Sequence, residues 1–477
     1  MKLFKQITIF IIIACVLGCK KNIAVDVPAT SITNTSVFQY DATAISALTS
    51  LYTKLSSTSF YSGNSGFMTL SGYAGLSSDE LTLFDLSEPK YLAYYRNDLT
   101  SSSYGFEYWE TIYPLIFTCN SAIEGLDNNT SLAPQIRNQL LGEAKFMRGF
   151  FYFYLTNLFG DVPLVLSTDF KVNASLPRAS KNKVFEQIIT DLNSAKDLLS
   201  SNYLSGALLT TSNDRVRPAK WAAVAMLARA YLYSGDWANA EAQSTSLINN
   251  PMFSLSALNN VFQKASLGNK EAIWQLQPVM SNITNTQDAY FFIIPDTGPS
   301  STWPVYLSDN LLNAFETNDN RKNVWINSVT VSNQTYYYPY KYKVNSSNAT
   351  VSEHLMMLRL GEQYLIRAEA RARQNNLQGA IDDVNYIRLQ HGGLTSPLPT
   401  PANQTAALDL ILHERQVELF TELGQRWFDL KRTNSIDAVM SIATAQKGGT
   451  WKPTSQLFPI PLTEIKRDIN LTQNAGY

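Results

Sequence analysis

The stretch 221–248 constrains the fold more than any other part of the 477-residue chain. Residues 221–233 and 238–248 read as two helices joined by Gly235-Asp236-Trp237, with alanines along both. Helix axes approach to about 8 Å only where the contacting side chains are small, so these two must pack tightly on each other. Such a pair cannot bury its apolar face alone and needs neighbours stacked on it.

Neighbours are present. The run 140–159 is long and apolar and stops at Gly160-Asp161-Val162-Pro163, where Gly caps a helix and Pro forbids its continuation. Ser180 opens another helix, with Glu186 in its early turns and Val184, Ile188, Leu192, Ala195 and Leu199 at helical spacing. Leu227, Ala228, Tyr231 and Ala240, with Pro251 beyond them, match the tetratricopeptide pattern. Tyr364, Ala368, Ala380, Val384 and Ile387 match it again. The expected fold is mainly α: a tetratricopeptide-like helical-repeat scaffold of about four helix pairs, with irregular loop-rich insertions carrying short strands.

Two segments depart from the helical pattern. Residues 57–103 are rich in Ser, Gly, Tyr and Leu and give few helical signals. Residues 250–350 carry Trp274, Trp303, Trp325 and Tyr336-Tyr337-Tyr338, and alternation over 336–344 suggests strands. Insertions that project from a scaffold are where binding residues usually sit. The C-terminus differs again. Pro459 and Pro461 fix Leu457-Phe458-Pro459-Ile460-Pro461 as extended. A helix start at Thr463-Glu464 and a final Gln473-Asn474-Ala475-Gly476-Tyr477 follow. So apolar a tail is expected to lie against a preformed surface.

At the other end, Lys2 and Lys5 precede an apolar run over 7–18, and polarity breaks at Cys19-Lys20-Lys21. This is the pattern of a secretory leader, and the run is too short to cross a bilayer as a helix. Gly18-Cys19 looks like a lipobox, which makes Cys19 the lipidated first residue of the mature chain. Cys15 offers a rival site, disfavoured because Cys19 sits at the polarity break. The lone remaining Cys119 lies in an apolar helix and reads as a packed core thiol. The 38 basic residues nearly balance the 39 acidic ones, which argues against a nucleic-acid partner. Length would permit several domains, but no convincing linker divides the chain, so one body is expected.

Enzymatic signals are weak. His413-Glu414 begins like a zinc motif, but Val417 stands where the second ligand belongs, and His354 and His391 are isolated in sequence. No phosphate loop, dinucleotide fingerprint or nucleophile elbow occurs, so neither a cofactor nor a metal is implied. Glu414 and Glu418 share a helix face, and Arg415, Arg426 and Arg432 are available to make them a structural ion-pair network. Binding chemistry is better represented. Sugars are held by flat apolar rings against their C–H faces and by amides or charged groups on their hydroxyls. Asp79, Tyr91, Tyr94, Tyr95 and Asn97 offer this combination in the first insertion. Trp303 and Tyr306 beside Asp309 and Asn310, then Trp325 and Tyr337, offer it in the second. Most aromatics must nonetheless be core, and Trp221, Trp237 and Trp427 fall in scaffold motifs.

Ordered blocks along nearly the whole chain resemble the SusD/RagB family. They include Trp109-Glu110-Thr111-Ile112-Tyr113, Glu143-Ala144-Lys145-Phe146-Met147-Arg148-Gly149, Leu158-Phe159-Gly160-Asp161-Val162-Pro163, Tyr364-Leu365-Ile366-Arg367-Ala368-Glu369-Ala370, Gly424-Gln425-Arg426-Trp427-Phe428-Asp429, and the tail. One departure is Leu423 before Gly424, where the family more often has Glu; it is expected to alter only a surface turn. The resemblance implies a non-catalytic outer-membrane lipoprotein, facing the cell exterior, that captures glycan and passes it to a TonB-dependent, SusC-like transporter. A surface glycan-active enzyme, an assembly subunit without its own ligand, and a binder of another nutrient such as peptide are the alternatives. The expected organisation is a leader over 1–18, a lipidated tether over 19–37 and one body over 38–477. Within it, repeats fall at about 38–58, 107–250 and 354–390, ligand-facing insertions at about 59–106 and 251–350, and a packing segment at 408–477.

Overall fold

The computed structural model describes residues 37–57, 70–279, 285–346 and 349–477. The leader, Cys19, nearly all of the tether and residues 59–69 of the first insertion lie outside them. Helices dominate, as expected. α1 (Asp41–Ser57), α2 (Glu107–Leu126), α3 (Pro134–Phe159), α4 (Lys181–Leu198), α5 (Lys220–Ser234), α6 (Trp237–Ile248), α7 (Leu360–Arg373), α8 (Leu377–Gln390) and α9 (Gln404–Leu419) pack in succession, each on its neighbours. α10 (Gln425–Arg432) and α11 (Ile436–Gln446) follow.

Local signals explain the boundaries. Ser180, Asp236, Asn376 and Asn403 cap the first turns of α4, α6, α8 and α9 with side-chain oxygens. Gly235 ends α5 in the left-handed conformation that glycine adopts without strain. The small residues do what their spacing predicts: Ala228, Ala240 and Ala370 meet at the junction of α5, α6 and α7, and Ala368, Ala372 and Ala380 carry the contact onward to α8.

Three of the antiparallel two-stranded ribbons on this scaffold bear on the site or its support. β1 (Leu81–Leu83) pairs with β3 (Val305–Leu307), β2 (Ala272–Leu276) with β6 (Leu355–Arg359), and β4 (Ile326–Val331) with β5 (Gln334–Pro339). Ser332 and Asn333, both at positive φ, form the two-residue turn of the last hairpin. The first insertion is more helical than its composition suggests: Leu70–Ser77 and Pro89–Tyr95 are short helices. Leu70–Ser77 is buried throughout, so tertiary packing replaces the periodicity that a surface helix shows.

The tail is docked. Phe458 and Ile460 are buried, the Phe458 amide donates to the Leu158 carbonyl at 2.9 Å, and its ring meets Tyr94 edge-on with centroids 5.5 Å apart. Asn474 Nδ2 donates to the carbonyls of Phe159 and Phe458 at 2.9 and 2.8 Å. The turn at Leu423 is no surface feature. Leu423 is buried at φ 46° and its amide donates to Ser71 Oγ, while Thr421 and Gly424 beside it also have positive φ. The leucine side chain belongs to the buried core cluster, where a glutamate would bury a charge.

Candidate functional site

The β1–β3 ribbon organises the site. Strand alternation buries Leu81, Leu83, Val305 and Leu307 and turns Thr82 and Tyr306, which are register partners, the other way. They face a cleft of about 380 Å³, whose other walls come from Asp79, Tyr95, Ser308, Asp309, Asn310, Gln446 and Lys447. Three sequence-predicted residues, Asp79, Tyr95 and Tyr306, therefore converge from separate segments, joined by the flanking Asp309 and Asn310.

Each wall has a local cause. Tyr95 ends helix Pro89–Tyr95, and its ring lies beneath the Lys447 ammonium, 5.1 Å from the centroid. Tyr306 is half-buried, and its ring packs edge-on to Tyr336 at 5.2 Å; Tyr336 in turn packs edge-on to Phe84 at 5.8 Å. Ser308 caps the single turn Asp309–Leu312, leaving the exposed carboxylate of Asp309 and the amide of Asn310 on the rim. Asn310 Nδ2 donates to Gln446 Oε1 at 3.3 Å, linking the ribbon side to α11.

Two buried charges underlie the floor. Asp79 receives both Nε and the second terminal nitrogen of Arg426 at 2.8 Å each. Burial alone would push its carboxyl up, but the guanidinium outweighs it and holds Asp79 below its usual range. Lys447 follows α11 and donates its ammonium to the carbonyls of Leu76 and Ser78. Burial pulls it down to about 7, against the opposing charge of Asp79.

The remaining predicted residues lie elsewhere. Tyr94 is fully buried, stacked on Tyr73 at 4.3 Å with its hydroxyl on Glu107, so it is core and not a ligand contact. Trp325 is likewise core: its ring is wholly buried against Phe262 and His391, and Nε1 donates to the Leu258 carbonyl. Asn97, in left-handed conformation, ties Ser77 to Thr444 and is structural. Tyr91 is half-buried beside Tyr73, and Trp303 donates Nε1 to the Tyr290 carbonyl; neither lines the cleft. Tyr337 is exposed, but alternation sets it on the hairpin face opposite Tyr336, the member of that run that supports Tyr306. Thr82, Ser308, Gln446 and Lys447 line the cleft without having been predicted. Nothing local in the sequence marks them, since the alternation in Leu81-Thr82-Leu83 is too short to set a pattern.

His391, isolated in sequence, is not isolated in space. It lies between Glu418, 2.8 Å from Nδ1, and Glu271, 3.3 Å from Nε2. Arg359 also binds both carboxylates, at 2.7 and 3.0 Å, so each is shared between a guanidinium and the imidazole. Burial would lower the His391 pKa, but the two carboxylates outweigh it and raise it to about 10, making the group an imidazolium. Glu414 and Glu418 do belong to a structural ion-pair network, but with other partners than expected. Arg321 bridges them at 2.6 and 2.9 Å, whereas Arg415 binds Asp429, Arg426 binds Asp79, and Arg432 binds Glu369 and Asp429.

Comparison with known proteins agrees with this architecture. Residues 72–232 match a family model described as "Starch-binding associating with outer membrane", and 264–477 match the model of the SusD family. SusD-like protein P2 of Formosa agariphila is 27% identical over 424 residues, covering 78% of this chain and 80% of that one. A SusD superfamily crystal structure from Parabacteroides distasonis superposes with a TM-score of 0.76 at 23% identity, over 94% of this chain and 100% of that one. Surface glycan-binding protein A from Bacteroides thetaiotaomicron, solved in complex with laminarihexaose, superposes with a TM-score of 0.74 at 18% identity, over 91% and 99%.

Proposed function

The chain belongs to the SusD/RagB family, and we propose accordingly that it binds glycan in the cleft between Tyr95 and Tyr306 without catalysing its turnover. The observation that carries this reading is the convergence of two tyrosines with Thr82, Ser308, Asn310 and Gln446 around one sugar-sized cleft. Ring faces suit the C–H side of a pyranose, and hydroxyls and amides suit its O–H groups. Hydrolysis needs two carboxyl groups flanking a bond, one of them free to carry a proton. The tie between Asp79 and Arg426 leaves Asp309 without such a companion in the cleft, which supports a non-catalytic role.

In the same reading the mature protein is anchored through lipid on Cys19 to the outer membrane, facing the exterior. It delivers its glycan to a partner TonB-dependent transporter. No helix among the described residues is long and apolar enough to cross a membrane, consistent with attachment through the N-terminus. Stable attachment by acyl chains takes two of them, as bacterial lipoproteins carry.

Isothermal titration against a polysaccharide panel tests the binding. The protein is expected to bind at least one glycan, and Tyr306→Ala to weaken that binding by roughly tenfold or more while leaving the melting temperature within a few degrees. Equal binding by Tyr306→Ala would remove the cleft from the proposal. Mass spectrometry of the membrane-extracted protein, showing acylation at Cys19, would test the anchor.

A further inference from the structure

If the cleft is the glycan site proposed for it, its walls also set the charge of the glycan it accepts. A uronate or sulfate group is recognised by a free cation, a guanidinium fork or an open helix N-terminus. The cleft offers none of these among the described residues. Its single lining cation is Lys447, a residue with only 9% of its surface exposed, whose ammonium is already committed to the carbonyls of Leu76 and Ser78 and lies over the Tyr95 ring. Arg426, the guanidinium beneath the floor, has its fork closed on Asp79.

The helix turn that reaches the rim is closed as well. Ser308 Oγ takes the Leu311 amide, and the first residue of the turn is Asp309. That carboxylate is exposed, has no ion-pair partner among the described residues, and stands near enough to Tyr306 to act on its hydroxyl electrostatically. The free charge at the mouth of the cleft is therefore negative, while the remaining polar groups on its described walls, apart from Asp79 closed on Arg426, are neutral hydroxyls and amides. Like charge brought beside Asp309 is repelled, and no wall group among the described residues compensates.

We infer that the cleft selects uncharged glycans, and that Asp309 at its rim is a specificity residue that excludes uronate-bearing and sulfated chains.

Native gel retardation and calorimetry with the full mature protein test this. Laminarin, amylopectin and mannan serve as neutral probes, and alginate, polygalacturonate and carrageenan as anionic ones. The expected result is retardation by at least one neutral polysaccharide, lost in Tyr306→Ala, with none by the anionic three. Oxidising the C6 hydroxyls of the bound neutral glycan to carboxylates is expected to weaken it at least tenfold, and Asp309→Asn to recover a good part of that loss. Asp309 is exposed and unpaired, so this variant keeps the fold. Binding of an anionic glycan as tight as that of any neutral one, and lost in Tyr306→Ala, would overturn the selectivity while leaving the glycan-binding function intact. Unchanged discrimination in Asp309→Asn would overturn the role of that residue. Binding of no glycan at all would overturn the function and the selectivity together.

Discussion

Two tryptophans separate what a residue type promises from what its surroundings allow. Trp303 and Trp325 stand in similar polar sequence, yet Trp325 is wholly buried with its indole nitrogen satisfied, and only its fold neighbours reveal it. Trp325→Ala is expected to destabilise the protein by about 3–5 kcal/mol in urea unfolding, with no change in glycan affinity of the folded fraction. His391 makes a sharper case, since no spacing in the sequence joins it to Glu271 or Glu418. Its folded pKa, about 10, lies above the ordinary value of 6.5, so its contribution to stability is complete below about pH 6.5 and is lost as pH rises through 10. Urea unfolding of wild type and His391→Gln across this window is therefore expected to show the wild-type advantage shrinking with increasing pH. An advantage that grew instead would mean that the imidazole is neutral in the folded protein.

At the level of elements, helices are legible in the sequence and contacts between insertions are not. The alanine-rich pairs α5–α6 and α7–α8 announce themselves because close helix packing has a compositional requirement. Strands β1 and β3 do not, because three residues each are too few for a pattern and their pairing spans more than two hundred positions. Helix Leu70–Ser77 is hidden for the opposite reason: buried on all sides, it shows no amphipathic period. A close contact between α3 and the end of α4 gives a test at this scale. A Cβ on Gly142 would stand 2.9 Å from Leu199 Cγ. Gly142→Val is thus expected to force the two apart and to cost about 1–3 kcal/mol, visible as a lowered melting temperature.

For the whole molecule, the family likeness is readable over 72–232 and 264–477, whereas the cleft is only half readable. Tyr95 and Tyr306 are recognisable as aromatics among polar neighbours, but scaffold packing decides which aromatics meet. The tail also acts at this scale, since Phe458 packs beneath Tyr94 in the helix that carries Tyr95. Deleting residues 457–477 is expected to lower the melting temperature by roughly 10 °C or more and to abolish glycan retardation, although no tail residue lines the cleft. Retained affinity in the truncated protein would show that the helix holds its place unaided.

The cleft draws one wall from residues 79–95, another from 306–310 and the last from 443–447, with the tail buttressing the first. During synthesis, therefore, the three walls cannot come together before residue 447 has been added, nor can the tail buttress the first of them before residue 458. Closure over such separations is slow relative to local helix formation. A chain released before residue 443 would carry folded helix pairs but only two walls of the cleft, so an assembled cleft reports that synthesis has passed that point.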